Sequence, residues 1–213
     1  IPFLIPFLIA MAIGPKLKWI KSNLQNKMFL IFFLIISILL SIFIINSFNV
    51  NFLLNTILVA SAFFLFFVSI KDLLNKGFKN YSQSMAHFGF SLFILSILFN
   101  NFLSTEIITN LKVGETFKSE KFKISFESID QKSKKNFQAV IGKFIIENQN
   151  GVVDILNPEL RIYNQPNIVT SEADIKTDLF TDKFMTMNVV QNQEYFNIRY
   201  QIKPFMIWIW FSV

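Results

Sequence analysis

The chain has 213 residues, 53% of them apolar, with a mean hydropathy of +0.47 and a net charge of +6. That hydropathy excludes an ordinary soluble domain. The basic excess would suggest nucleic acid in a soluble protein, but it sits in short loops between apolar runs, where membrane topology accounts for it and no nucleic-acid partner is expected.

In chain order, Ile1–Gly14 is apolar from its first residue. No basic region precedes it, so it reads as part of a span rather than a signal peptide. Phe29–Ile45 is broken only by Ser37 and Ser41. Phe52–Ile70 contains Asn55, Thr56, Ser61 and Ser69 as its polar breaks. Met85–Leu103 carries His87 near its start and Asn100 and Asn101 near its end. Each run reaches the ~17 residues needed to cross a bilayer as helix. Backbone groups cannot stay unpaired in hydrocarbon, so these runs are helices. Buried helices of a large soluble core would keep polar faces, and these runs have none. Phe205–Val213 (FMIWIWFSV) is again apolar. The protein is expected to continue beyond both of these incomplete terminal runs.

Charge sets the expected orientation. Residues 15–28 carry Lys16, Lys18, Lys21 and Lys27, and the next basic loop carries Lys71, Lys76 and Lys79; Asn46–Asn51 carries no charge. Basic short loops stay cytoplasmic. The expected layout is a partial span at 1–14, a cytoplasmic loop at 15–28, and spans at 29–45 and 52–70. A cytoplasmic loop at 71–83 and a span at 84–103 follow. Then comes a β-rich domain at 104–203 on the periplasmic or intermembrane side, and the start of a final span at 204–213. The fold class is a helical multi-span membrane protein with an inserted all-β domain, an antiparallel sheet or small barrel.

Within 104–203, Phe122-Lys-Ile-Ser-Phe-Glu alternates apolar and polar residues. Val140–Glu147 and Val152–Leu156 flank Asn148-Gln-Asn-Gly151, a hairpin signal with Gly where positive φ is tolerated. Phe184–Val190 is β-prone. Tyr195–Ile202 places Phe196, Ile198, Tyr200 and Ile202 on one face and Asn197, Arg199 and Gln201 on the other. Ser171–Lys176 reads as a short helical turn capped by Ser171 or Thr170.

The chain has one His and no Cys, which excludes disulfides, thiol–disulfide chemistry and clustered zinc ligands. Neither a Ser-His-Asp set nor a phosphate-binding Gly loop is present. The acids of the β domain are scattered among lysines and read as a solvated face. His87 stands apart. An ionisable side chain inside a membrane helix is costly and tends to be functional. A neutral imidazole can donate a lone pair to haem iron while its second nitrogen fixes the tautomer. Gly89 removes bulk where a flat macrocycle or another helix could approach. The residues alone leave a second reading open, an interfacial His bonded to a neighbouring helix or a lipid headgroup.

Several strings then resemble one family. Met85-Ala-His87-Phe-Gly89, opening a span before a long outside domain, is similar to the C-terminal part of CcmF. Gly14-Pro15-Lys16-Leu17-Lys18-Trp19 resembles that family's Gly-Pro-Leu-x-x-Trp, and Val113-Gly114-Glu115-Thr116 its Pro-Gly-Asp/Glu-Thr. Asn157-Pro158-Glu159-x-Arg161-x-Tyr163 resembles its Pro-Glu-x-Arg-x-Tyr element. Thr170–Ile175 resembles its Thr-Glu-Ala-x-Ile with altered spacing. Arg199-Tyr200-x-x-Lys203-Pro204-Phe205-x-x-Trp208-Ile209-Trp210 is the most specific match: an amphipathic strand, a Lys-Pro stop, then Trp at a membrane boundary. The paralogue that serves nitrite-reductase maturation shares the pattern.

The resemblance implies a membrane subunit of the haem lyase that attaches haem to apocytochrome c in the bacterial or mitochondrial inner membrane. It implies a b-type haem (haem b) held between a His of an earlier span and His87, whose role is reduction of the delivered haem with quinol as an electron source. His87 is thus the one implied cofactor and metal ligand, and no catalytic residue is carried over. The family's Trp-rich loop and two outside His residues lie upstream of the matching part. Implied partners are CcmH-like and CcmI-like subunits, a haem-loaded CcmE-like chaperone and apocytochrome c, with 104–203 as a docking surface. Two other classes stand beside this one: a transporter subunit, which would need polar residues in mid-span, and a non-catalytic membrane scaffold.

Overall fold

The computed structural model describes residues 3–17, 27–48, 52–75, 81–119, 122–149, 151, 153–190 and 194–213. Trp19, the turn at Asn46–Asn51 beyond Phe48, and Lys76 and Lys79 of the second basic loop lie outside them. The chain divides into two units, residues 1–103 with 205–213, and residues 104–204.

The first unit is helical. It comprises α1 (Leu4–Ile13), a 3₁₀ turn at Gly14–Lys16, α2 (Lys27–Phe48), α3 (Phe52–Asn75), α4 (Tyr81–Leu103) and the short α5 (Met206–Phe211). Among the described residues, α2, α3 and α4 are long and apolar enough to cross a membrane. α3 is the central helix: it packs against α1, α2 and α4, and 56% of its apolar stretch is buried, against 17% for α2. Leu8, Ala12, Leu58, Ala62, Leu65, Val68 and Leu95 form the shared core. The buried serines need not disturb it. Ser37, Ser69 and Ser91 donate their hydroxyls to Phe33, Leu65 and Phe88 carbonyls of their own helices, at 2.6, 2.7 and 2.8 Å. Ser41 reaches across to the Thr56 carbonyl of α3. Such bonds satisfy a polar group that hydrocarbon would otherwise penalise. At one end, the Lys16 ammonium donates to both Asp72 carboxylate oxygens at 2.8 Å, and Lys71 lies 3.4 Å from the centre of the Phe29 ring.

The second unit is all β, two antiparallel sheets packed face to face. One orders β1 (Thr105–Leu111), β10 (Phe196–Pro204), β9 (Thr181–Val189) and β8 (Asp174–Thr177). The other orders β2 (Thr116–Lys118), β3 (Phe122–Ser133), β4 (Phe137–Asn148), β6 (Glu159–Asn164) and β7 (Asn167–Glu172), with β5 (Val153–Leu156) paired to β4. Alternation places Phe122, Ile124 and Phe126 inside from β3, and Ile198 and Tyr200 inside from β10. A bulge between Phe126 and Ser128 shifts the phase of β3 by one residue, so that Ile129 then turns toward the core. The expected hairpin forms: Glu147 pairs with Val153, and Gly151, at φ 72°, donates its N–H to the Asn148 carbonyl at 2.9 Å.

Two sequence expectations differ from the structure. Ser171–Lys176 is no helical turn; it belongs to β7 and β8. Ser171 pairs with Leu160, and its hydroxyl donates to the Met187 carbonyl at 2.7 Å instead of capping a helix. Ladder and inter-sheet bonds outweigh a weak local capping preference. Gln201, expected on the wet face, is 7% exposed; with Arg199 it hydrogen-bonds the Glu106 carboxylate on β1, and these bonds hold that carboxyl below its usual range.

Candidate functional site

α4 positions His87. At 100° per residue, Ser84, Ser91 and Ile94 (three before, four and seven after) fall on the same face as His87. These three are buried, and His87 itself is half-buried. His87 therefore stands on the helix face turned toward protein. Close by, the rings of Phe66 on α3 and Phe88 on α4 stack with centroids 5.4 Å apart, which fixes the rotation of α4 against α3.

Gly89 is on the opposite side of α4, 200° away. A Cβ at Gly89 would lie 2.8 Å from the Ser212 carbonyl oxygen just past α5, so the bulk removed there admits another chain segment rather than the ligand of His87. Tyr81, Met85, Gly89, Phe93, Phe211 and Val213 line an apolar cleft of about 880 Å³ on that side. Gly89→Ala is expected to displace α5 and lower the unfolding midpoint of the helical signal in detergent. The cost should be ~1–3 kcal/mol, the usual range for overpacking.

Among the described residues no three His, Cys, Asp or Glu side chains gather to hold a metal ion. The β domain does hold a buried charge that sequence reading passed over. Asp154 of β5 is 3% exposed and accepts hydrogen bonds from Lys176 of β8 and Lys183 of β9. Burial alone would push its carboxyl up; the two ammonium groups outweigh that and hold it below the usual carboxylate range. The signal was present in Val-Asp-Ile-Leu, where Asp154 shares the inward phase of Leu156. Behind it, burial first and the Asp154 charge second push the Tyr200 phenol up to about 12. Tyr200 thus stays protonated and cannot serve as a base at neutral pH. The cluster ties the two sheets together.

Residues 102–204 match the family model described as CcmF C-terminal beta-sandwich. The chain is similar to "Cytochrome c-type biogenesis protein CcmF" of Escherichia coli (strain K12), 21% identical over 97% of this chain and 33% of that protein. Its likeness to the CcmF of Haemophilus influenzae is 22% identity over 96% of this chain and 34% of that protein. A solved structure, "Cytochrome c Heme Lyase CcmF", superposes with a TM-score of 0.72 at 18% identity, covering 99% of this chain and 37% of that one. The chain thus spans about a third of the length of the curated relatives it matches along its whole extent.

Proposed function

From the premise that residues 102–204 are a CcmF C-terminal β-sandwich and that the chain corresponds to the C-terminal part of CcmF, we propose that it serves cytochrome c biogenesis as the membrane-embedded end of a haem lyase. The observation that carries the reading is the placement of His87, half-buried on the α4 face that it shares with Ser84, Ser91 and Ile94.

The residues present fit one side of a haem b site. His87, neutral, offers a nitrogen lone pair. Ser84 and Ser91, one turn before and after, are small enough to leave room beside the imidazole. The Phe66–Phe88 stack keeps the helix from rotating the imidazole away. His87 is the only His in the sequence, so any second imidazole holding such a haem would come from outside these 213 residues. When bound there, such a haem supplies one-electron reduction, with quinol as donor.

The basic residues of 15–28 and 71–83 put those loops on the cytoplasmic side of the inner membrane and residues 104–203 on the periplasmic or intermembrane side. The pairing of Lys16 with Asp72 supports a common side for the two loops. On the outer side the β domain docks CcmH-like and CcmI-like subunits, a haem-loaded CcmE-like chaperone and apocytochrome c.

The test is cytochrome c maturation in cells that depend on the full-length protein. His87→Ala, at unchanged protein abundance, is expected to cut covalently bound haem in cytochrome c to the level of a deletion strain. A scaffold without a haem ligand would leave that yield intact.

A further inference from the structure

Strand phase and exposure disagree at one end of the β-sandwich. Leu160 of β6 is in the core, and Ile162 shares its face; Val169 of β7 pairs with Ile162 and so faces inward too. On the other sheet, Val189 shares the inward phase of the buried Met187 and pairs with Phe196. Yet Val169 and Val189 are each 60% exposed, and Ile162 is 36% exposed. The register gives the reason. β8 pairs with β9 only from Asp182 to Met185. Among the described residues no strand flanks β9 on that side from Thr186 to Val189, so the sheet stops short of Val169. The gap is an open cleft of about 620 Å³, lined also by Ile129, Val140 and the carboxamides of Gln131 and Asn188. Among the described residues no charged side chain lines it.

β7 is also an edge strand. It pairs with β6 and, among the described residues, with no strand on its other side. Alternate residues of such a strand turn N–H and C=O outward, and natural sheets protect such edges with short strands or charged residues. β2 has three residues, one of them Lys118, and β8 has four, one of them Lys176. β5 turns Asp154 inward, and β1 carries Glu106 paired with Arg199. β7 reads Asn-Ile-Val-Thr-Ser before its final Glu172. That run has no charge and no Pro, and three of its residues are β-branched.

We propose that β7 accepts an extended segment of a partner protein as an added strand, with alternate side chains of that segment entering the cleft beside Val169. Main-chain hydrogen bonds to the open edge supply affinity, and the cleft supplies selection. A charged side chain would find no counter-charge in the cleft lining, so the side chains that enter are uncharged. A strand lying along Asn167–Thr170 buries less than the ~1,200 Å² of a standard stable interface. The occupant is therefore one segment held transiently, not a second copy of this chain. This gives the docking role proposed above a specific edge, and it rests on that role for the claim that a partner supplies the segment.

The test is amide hydrogen exchange of the full-length protein in detergent, with a capped peptide of alternating valine and threonine as probe. Amides of Asn167–Thr170 that face the open edge are expected to slow roughly tenfold when the peptide is about tenfold above its Kd. Val169→Lys puts a charge at the cleft from an exposed position and is expected to abolish the slowing. Ile175→Lys, on the edge strand β8 and 54% exposed, is expected to leave it intact. No slowing at β7 up to about 10 mM peptide, tenfold above a Kd of about 1 mM, overturns the proposal. Equal slowing in Val169→Lys also overturns it. Either failure strikes this edge alone; docking of whole partner proteins is read separately, by cytochrome c maturation.

Discussion

Asp154→Ala is expected to cost the β domain about 3 kcal/mol, the lower end of what breaking a buried ion pair costs. The lower end applies because Lys176 is 47% exposed and partly screened. Removing the carboxylate leaves the Lys183 ammonium, 13% exposed, directly across the β8–β9 ladder from Lys176. Like charges at directly opposed positions repel. The check is hydrogen exchange of β9 amides in the solubilised full-length protein, where 3 kcal/mol corresponds to a loss of protection of roughly 150-fold. Asp154→Asn, which keeps an acceptor without the charge, should fall between. The same pair sets an acid limit. The Asp154 carboxyl is held lower in the folded state than in the unfolded chain, so the unfolded chain takes up the proton first. The stabilisation is fully present above the unfolded value of ~4 and is lost as pH falls toward the folded value. No loss from this group is expected between pH 5 and 8.

Phe144→Ala should be as damaging or worse, about 3–5 kcal/mol. Phe144 has no exposed surface, is the ladder partner of Phe126, and stacks on that ring at 4.2 Å. Its ring edge and the Met187 sulfur fill the space where Gly142 lacks a side chain: a Cβ there would meet them at 2.7 and 2.8 Å. Truncation therefore opens a cavity bordered by a residue with nothing to fill it. Gly142→Ala alone should also destabilise, whereas Gly142→Ala combined with Phe144→Leu should cost less than the sum of the single changes, because the added methyl enters the vacated space. Thermal unfolding of the four variants measures that coupling.

The spans were legible because hydrocarbon leaves a chain few options: runs of 17 to 19 apolar residues in the sequence became α2 and α3, lengthened at their ends by residues such as Lys27 and Asp72 that reach the interface. Tyr195–Ile202 was legible because half-buried strands alternate, and Ile198 and Tyr200 are indeed fully inside. Ser171–Lys176 was misread because a Ser or Thr before acidic residues looks the same whether its hydroxyl caps a helix or bonds to a strand of the facing sheet. The β3 bulge shows in the sequence only as a spacing of three between Phe126 and Ile129 where alternation would give two or four, a single irregularity too short to read as a change of phase. Asp154 was passed over as one acid among many lysines; only the strand phase that it shares with Leu156 marks it as interior. At the candidate site, the position of His87 near the start of an apolar helix was readable; its face was not, because that follows from the burial of Ser84, Ser91 and Ile94. That Gly89 admits another segment was one of the two readings its missing side chain allowed; that the segment is the chain around Ser212 was not readable, because the contact joins residues more than a hundred apart.

The central claim is that His87 offers its nitrogen to a haem iron from the protein-facing side of α4. The most direct measurement is the dithionite-reduced minus oxidised absorption spectrum of the purified full-length protein, wild type beside His87→Ala at equal concentration. A b-type spectrum in the wild type that disappears or changes coordination in the variant is the expected result. Identical b-type bands in both would contradict it.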